Sequence, residues 1–105
     1  MNYVFDLDGT ICTNTNGDYV NAVPIIDRVK HINELFDKQN NIVIYTARGM
    51  GSSNNNQIIA IEKYYSLTKR QLIEWNVKHH QLVFGKPFGD VYIDDKGIND
   101  NEYFK

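Results

Sequence analysis

Tyr3-Val4-Phe5-Asp6-Leu7-Asp8-Gly9-Thr10-Ile11 decides how this chain is read. Tyr3, Val4 and Phe5 have the apolar, aromatic and β-branched character of a short buried strand. Asp6 and Asp8 follow at its carboxyl end, where open α/β sheets bind ligands. Side chains alternate along an extended backbone, so the two carboxylates share a side while Leu7 points back into the core. Gly9 lets the chain turn away close to whatever the carboxylates hold. Paired carboxylates suit a cation, or a nucleophile beside a proton donor.

Outward from this stretch, residues 12–23 are polar, and Asn16-Gly17 is a two-residue hairpin signal. A β-hairpin flap is expected there, overhanging Asp6 and Asp8. Pro24 fits the first turn of a helix, and Ile25, Val29, Ile32 and Phe36 recur at helical spacing behind it. Asn40-Asn41 is the expected end of that helix. Ile42-Val43-Ile44-Tyr45 reads as a buried parallel strand, with Thr46-Ala47-Arg48-Gly49 at its carboxyl end. Ile58, Ile61 and Tyr65 predict one helix, and the capping-box string Thr68-Lys69-Arg70-Gln71 predicts the start of another. Leu82-Val83-Phe84 reads as a third strand, followed by Gly85-Lys86-Pro87. Val91-Tyr92-Ile93 reads as a fourth, followed by Asp94-Asp95, and the tail from Ile98 as a short final helix.

Strands alternating with helices predict a parallel sheet with right-handed crossovers. The expected architecture is one domain over residues 1–105, an α/β Rossmann-like three-layer sandwich of about four strands with a hairpin flap and no cap domain. The four strand ends carry Asp6 and Asp8, Thr46 and Arg48, Lys86, and Asp94 and Asp95. Four aspartates against Lys86 and Arg48 leave a net charge of −2, which one divalent cation would neutralise before a phosphate enters. Hard carboxylate ligands favour Mg2+.

The string Asp6-x-Asp8-Gly9-Thr10 after a strand resembles the first motif of the haloacid dehalogenase superfamily. Thr46, Lys86 and the Asp94-Asp95 pair resemble its second, third and fourth motifs. The resemblance implies a phosphatase in which Asp6 is the nucleophile and forms an aspartyl-phosphate. Asp8 would protonate the leaving oxygen and then activate water, and Thr46 and Lys86 would hold phosphate oxygens. Asp6, Asp8, Asp94 and Asp95 would hold Mg2+, and Gly9, Ala47, Arg48 and the flap residue Tyr19 would meet substrate. Tyr45-Thr46-Ala47-Arg48-Gly49 and Gly85-Lys86-Pro87 through Lys96 are similar to the small phosphatases associated with bacterial capsule and surface-polysaccharide biosynthesis. That likeness implies a sugar phosphate or a nucleotide-linked precursor as substrate.

Bulk properties narrow the alternatives. A net charge of −2 gives no basic field for a nucleic acid polymer. One cysteine, Cys12, allows no internal disulfide and fits a reducing compartment. No run is long enough to span a membrane, and the first residues lack a signal-peptide pattern, so a cytoplasmic protein is the default expectation. With no room for a cap, the flap or a neighbouring subunit of a homo-oligomer is expected to cover the site. A receiver-like phospho-aspartate signalling domain is the main rival. It places its acidic pair after the first strand and its phospho-accepting aspartate after the third, an order this chain does not follow. A catalytically silent binding module on the same scaffold is a second rival, and a phosphomutase or phosphotransferase, which depends on a cap, is a third.

Overall fold

The computed structural model describes residues 1–105. Three strands form a parallel sheet in the order β1 (Asn2–Asp6), β2 (Asn41–Thr46), β3 (Gln81–Phe84). Helix α1 (Ile26–Asp37) links the first pair and α2 (Gln57–Glu74) the second, with a short α3 (Asp100–Tyr103) at the end. The register sets Phe5 beside Ile44, Asp6 beside Tyr45 and Thr46 beside Phe84. The three strands therefore end level, and Asp8, Arg48 and Lys86 leave the sheet along one edge.

One face of the sheet is buried. Phe5, Ile42 and Ile44 pack with Val29 and Ile32 of α1 and Leu72 of α2, and Phe84 packs with Ala60 of α2. Right-handed crossovers that step in one direction across a sheet put their helices on the same side. The result is two layers, not the expected three. Val4, Val43, Tyr45 and Val83 form the opposite face, and no helix covers it; Val4 is 61% exposed.

The fourth strand is also absent. Val91, Tyr92 and Ile93 belong to no strand, and Ile93 is 95% exposed. Local sequence gives this segment strand character, but a strand needs an edge to pair with, and nothing in the local pattern chooses one. Residues 85–99 instead form an extended arm from the end of β3 to α3. The arm's far end is fixed by Asn99, whose side chain accepts from the N–H of Asn101, and by the ion pair of Asp100 with Arg28 at 2.7 Å. Tyr103 and Phe104 then close over Phe5 and His31, so His31 is packed rather than solvated.

The helices differ from expectation in two details. Helix α1 begins after Pro24, which instead bridges to Cys12, and the chain reverses through Gln39 at φ +70°. Helix α2 is continuous through Thr68. Asn56 caps it by accepting from the N–H of Ile59, and no glycine or proline interrupts it, so the second start signal is overridden. The flap has its Asn16-Gly17 turn, with both φ positive and the N–H of Asp18 bonded to the carbonyl of Thr15. It is not a hairpin. The N–H of Thr13 bonds to the carbonyl of Val23, but the return bond from Val23 goes to the Thr13 side chain, and Tyr19–Asn21 coils into a 3-10 turn.

Candidate active site

A cleft of about 770 Å³ opens at the carboxyl edge of the sheet. Asp6, Asp8, Ala47, Arg48, Lys86 and Tyr19 line it, as do Asn14 and Asn16 of the flap and Phe88 and Tyr92 of the arm. Asp6, Asp8 and Lys86 thus meet from the ends of β1 and β3, as the strand-end reading requires. Leu7 between the aspartates is fully buried.

Lys86 reaches Asp6 because of the residue before it. Gly85 has φ +107°, a conformation that L side chains rarely adopt, and a Cβ there would lie 2.8 Å from the Gln57 amide. The turn returns the chain over the sheet edge, where the N–H of Lys86 bonds to the carbonyl of Thr46 at 3.2 Å. Its Nζ lies 3.3 Å from the Asp6 carboxylate and 4.4 Å from the centre of the Tyr92 ring. Burial raises the pKa of Asp6 above the ordinary 3.8, partly offset by Lys86 and by a hydrogen bond from the backbone of Leu7.

Asp8 is held differently. Arg48 Nε and one terminal nitrogen grip its two oxygens at 2.9 and 3.0 Å. The other terminal nitrogen donates to Thr68 Oγ1 at 3.0 Å and Gln71 Oε1 at 2.6 Å. The last N–H faces Cys12 Sγ at 3.9 Å, and the Tyr19 ring lies 4.7 Å from the guanidinium carbon. Arg48 is 1% exposed. A guanidinium has five donors, and all five have partners here. The expected substrate-anion contact through this side chain is therefore corrected, because Arg48 braces Asp8 and leaves no donor for a ligand.

The structure places the other expected residues as follows. Ala47 is in the cleft wall. Thr46 is buried beneath it, with its hydroxyl accepting from the N–H of Arg48 at 3.1 Å. Gly9 makes the turn expected of it at φ +83°, its N–H bonded to the carbonyl of Cys12, and it is not among the cleft-lining residues. Tyr19 is in the wall, its backbone carbonyl held by Gln71 and its ring edge-on to Tyr64. Cys12 is buried, and burial followed by the nearby Asp8 charge pushes its thiol up to about 12, which removes it as a nucleophile.

Asp94 and Asp95 are not brought to this site. Both are exposed on the arm, where Asp94 accepts from the N–H of Lys96 at 3.0 Å. No group of three or more acidic, histidine or cysteine side chains is assembled for a metal anywhere in the chain. The charge reading changes accordingly: Asp6 and Asp8 against Arg48 and Lys86 sum to zero within the cleft, with no cation. The hard carboxylates suit Mg2+ in kind, but Asp8 is committed to Arg48 and Asp6 faces a lysine. The residues placed here do not by themselves fit that ion.

Thr68 and Gln71 were legible only as a capping box. Two polar residues three apart, beside the buried Leu72 of the same helix, are the signal that they serve a buried partner.

No family model matches the chain, and no curated protein matches it in sequence. Among solved structures, it is similar to a structural-genomics target from Vibrio cholerae at 27% identity and a TM-score of 0.90. The match spans 98% of this chain and 86% of that one. The two chains therefore share their fold over nearly the whole of this one.

Proposed function

We propose that this protein is a capless phosphomonoester hydrolase acting through an aspartyl-phosphate on Asp6. The observation that carries the reading is the Asp6 carboxylate facing Lys86 Nζ at 3.3 Å in the wall of an open cleft. A carboxylate oxygen attacks phosphorus, the bond to the leaving oxygen breaks, and that oxygen takes up a proton from Asp8 or from solvent, which the attacking water later returns. Water then attacks the acyl phosphate, releasing inorganic phosphate and restoring Asp6. Lys86 offsets the charge that builds on the transferring phosphoryl oxygens. Asp8, two residues along in the same cleft, is suited to the proton transfers. Both of its oxygens accept from Arg48, which fixes its position. Mg2+ is the cofactor that the haloacid dehalogenase resemblance implies. No step here is routed through it, because the ligands within reach of Asp6 are too few.

The neutral charge of the cleft admits an anionic substrate, and the Asn14, Asn16, Tyr19 and Ser52 side chains in its wall offer partners for hydroxyl groups. A small sugar phosphate or nucleotide-linked precursor fits this lining; a place in capsule or surface-polysaccharide biosynthesis rests on the sequence likeness at residues 45–49 and 85–96. No helix of the chain is long and apolar enough to cross a membrane. Phosphate release from a panel of sugar phosphates and nucleotides, with and without Mg2+, tests the reading. Release from one class of ester supports it, and no release from any compound under either condition rejects it.

Two outcomes belong to this site. Lys86→Ala is expected to lower kcat by about 10²–10³, the effect of losing one preorganised donor; steady-state kinetics check this, and a loss below tenfold argues against contact with phosphate. The acid limb of kcat/KM is expected above pH 3.8, since the nucleophile must be ionised and burial raises Asp6. The sign for stability is opposite to that of a salt-bridged carboxylate. The native state holds this proton more tightly than the unfolded state, so the Asp6 contribution falls as pH rises from 3.8 through the raised native value. Lys86→Ala removes the charge that opposes the shift and should move the acid limb further up.

A further inference from the structure

Two apolar, unpaired surfaces occur on this one molecule. The first is the outer edge of β1 together with the bare face of Val4, Val43, Tyr45 and Val83. The second is the arm segment Val91-Tyr92-Ile93, whose backbone makes no hydrogen bond with the rest of the chain. Val91 is 75% exposed and Ile93 95%, while Tyr92 turns inward onto Lys86. An exposed strand edge and an exposed β-branched segment are complementary in their unmet N–H and carbonyl groups.

We propose that two copies of this chain exchange arms, the Val91–Ile93 segment of each lying as a fourth strand along the β1 edge of the other. Sequence sets the direction. Tyr3-Val4-Phe5-Asp6 and Val91-Tyr92-Ile93-Asp94 share one pattern, and the sheet is wholly parallel. Parallel pairing with Ile93 beside Phe5 puts Asp94 beside Asp6. The occupant is the other copy because the chain's own arm is moored away from its β1 edge. The ion pair of Lys86 with Asp6 holds its near end over the cleft, with Tyr92 folded onto Lys86; Phe88 is bonded through its N–H to Asn55, and Asp100 is tied to Arg28.

Area supports the exchange over simple face-to-face stacking. Three strands about 4.8 Å apart and about five residues long present only roughly 240 Å² in projection. A stable dimer buries about 800 Å² on each partner. The face alone is too small to hold two copies together by stacking. The exchange also brings Asp94 to the carboxyl end of the partner's β1.

Single variants Val4→Cys and Tyr92→Cys, mixed and treated with a short bismaleimide, test the exchange. Both positions are exposed, and the native Cys12 is buried. A covalent dimer is expected in the mixture and in neither variant alone. The unmodified chain is expected to sediment as a dimer, and Ile93→Pro, which removes a strand donor, as a folded monomer. Three results would overturn the proposal: a monomeric unmodified chain, a dimer that survives Ile93→Pro, or a Val4→Cys/Tyr92→Cys double variant that cross-links only within one chain. Cross-linking reads the interface without reference to activity, so the proposal and the phosphatase reading fail separately.

Discussion

Asp6→Asn is expected to abolish phosphate release while the protein stays folded. The amide is close to isosteric with the carboxylate and keeps an acceptor toward Lys86, which lies 3.3 Å away. It cannot form the acyl phosphate, so the covalent route is closed rather than slowed. Folding should survive, because Asp6 is a partly exposed residue at a strand end and its burial already disfavours the charged form. The comparison needs circular dichroism and phosphate release on the same preparation. Full release from a folded Asp6→Asn protein would mean that the nucleophile lies elsewhere.

The second large effect concerns stability. Asp8→Ala is expected to destabilise the fold by about 3–5 kcal/mol, the cost of stranding one member of a buried ion pair. Arg48 is the deeper partner, its side chain 0% exposed against 19% for Asp8. Removing Asp8 leaves a guanidinium in the core with only Thr68, Gln71, the Cys12 sulfur and the Tyr19 ring to face it. Arg48→Met is expected to cost less, because it removes the buried charge and leaves a carboxylate that still reaches solvent. Urea denaturation of the two variants measures the asymmetry. In a domain of this size each kcal/mol shifts Tm by about 4–8 °C, so the difference is also readable by calorimetry. Equal losses, or a greater loss for Arg48→Met, would mean that burial of Arg48 is not the controlling term.

This asymmetry bears on the catalytic reading. A residue that is both a proton carrier and the counter-ion of a buried arginine will lose activity and stability together when removed. Asp8→Asn keeps a hydrogen-bonding side chain of the same shape, and so separates the two roles better than Asp8→Ala.

Much of the site was legible because parallel sheets collect strand ends. Asp6, Asp8, Arg48 and Lys86 lie 80 positions apart at the extremes, yet level register at Asp6, Thr46 and Phe84 brings them to one edge. Alternation around Leu7 placed the two aspartates correctly. What sequence could not supply was the destination of groups that act through tertiary partners. Arg48 adjoins a phosphate-binding motif in the resemblance, and only packing shows that Asp8, α2 and Cys12 together take up its donors. Thr68 and Gln71 have the spacing of a helix start, but the same spacing puts both on one side of a continuous helix, facing Arg48. Val91-Tyr92-Ile93 has the composition of a strand, and composition does not specify which edge, or which copy, it joins. The helices share one face for a topological reason, the one-directional strand order, which residue patterns do not encode.

The most direct test of the central claim is acid-quench mass spectrometry of the protein during turnover. With a hydrolysed sugar phosphate, the peptide containing Asp6 should gain the mass of one phosphoryl group, the label should vanish as substrate is exhausted, and Asp6→Asn should show none. Phosphate release continuing with no label at Asp6, or a label that persists without turnover, would contradict hydrolysis through this residue.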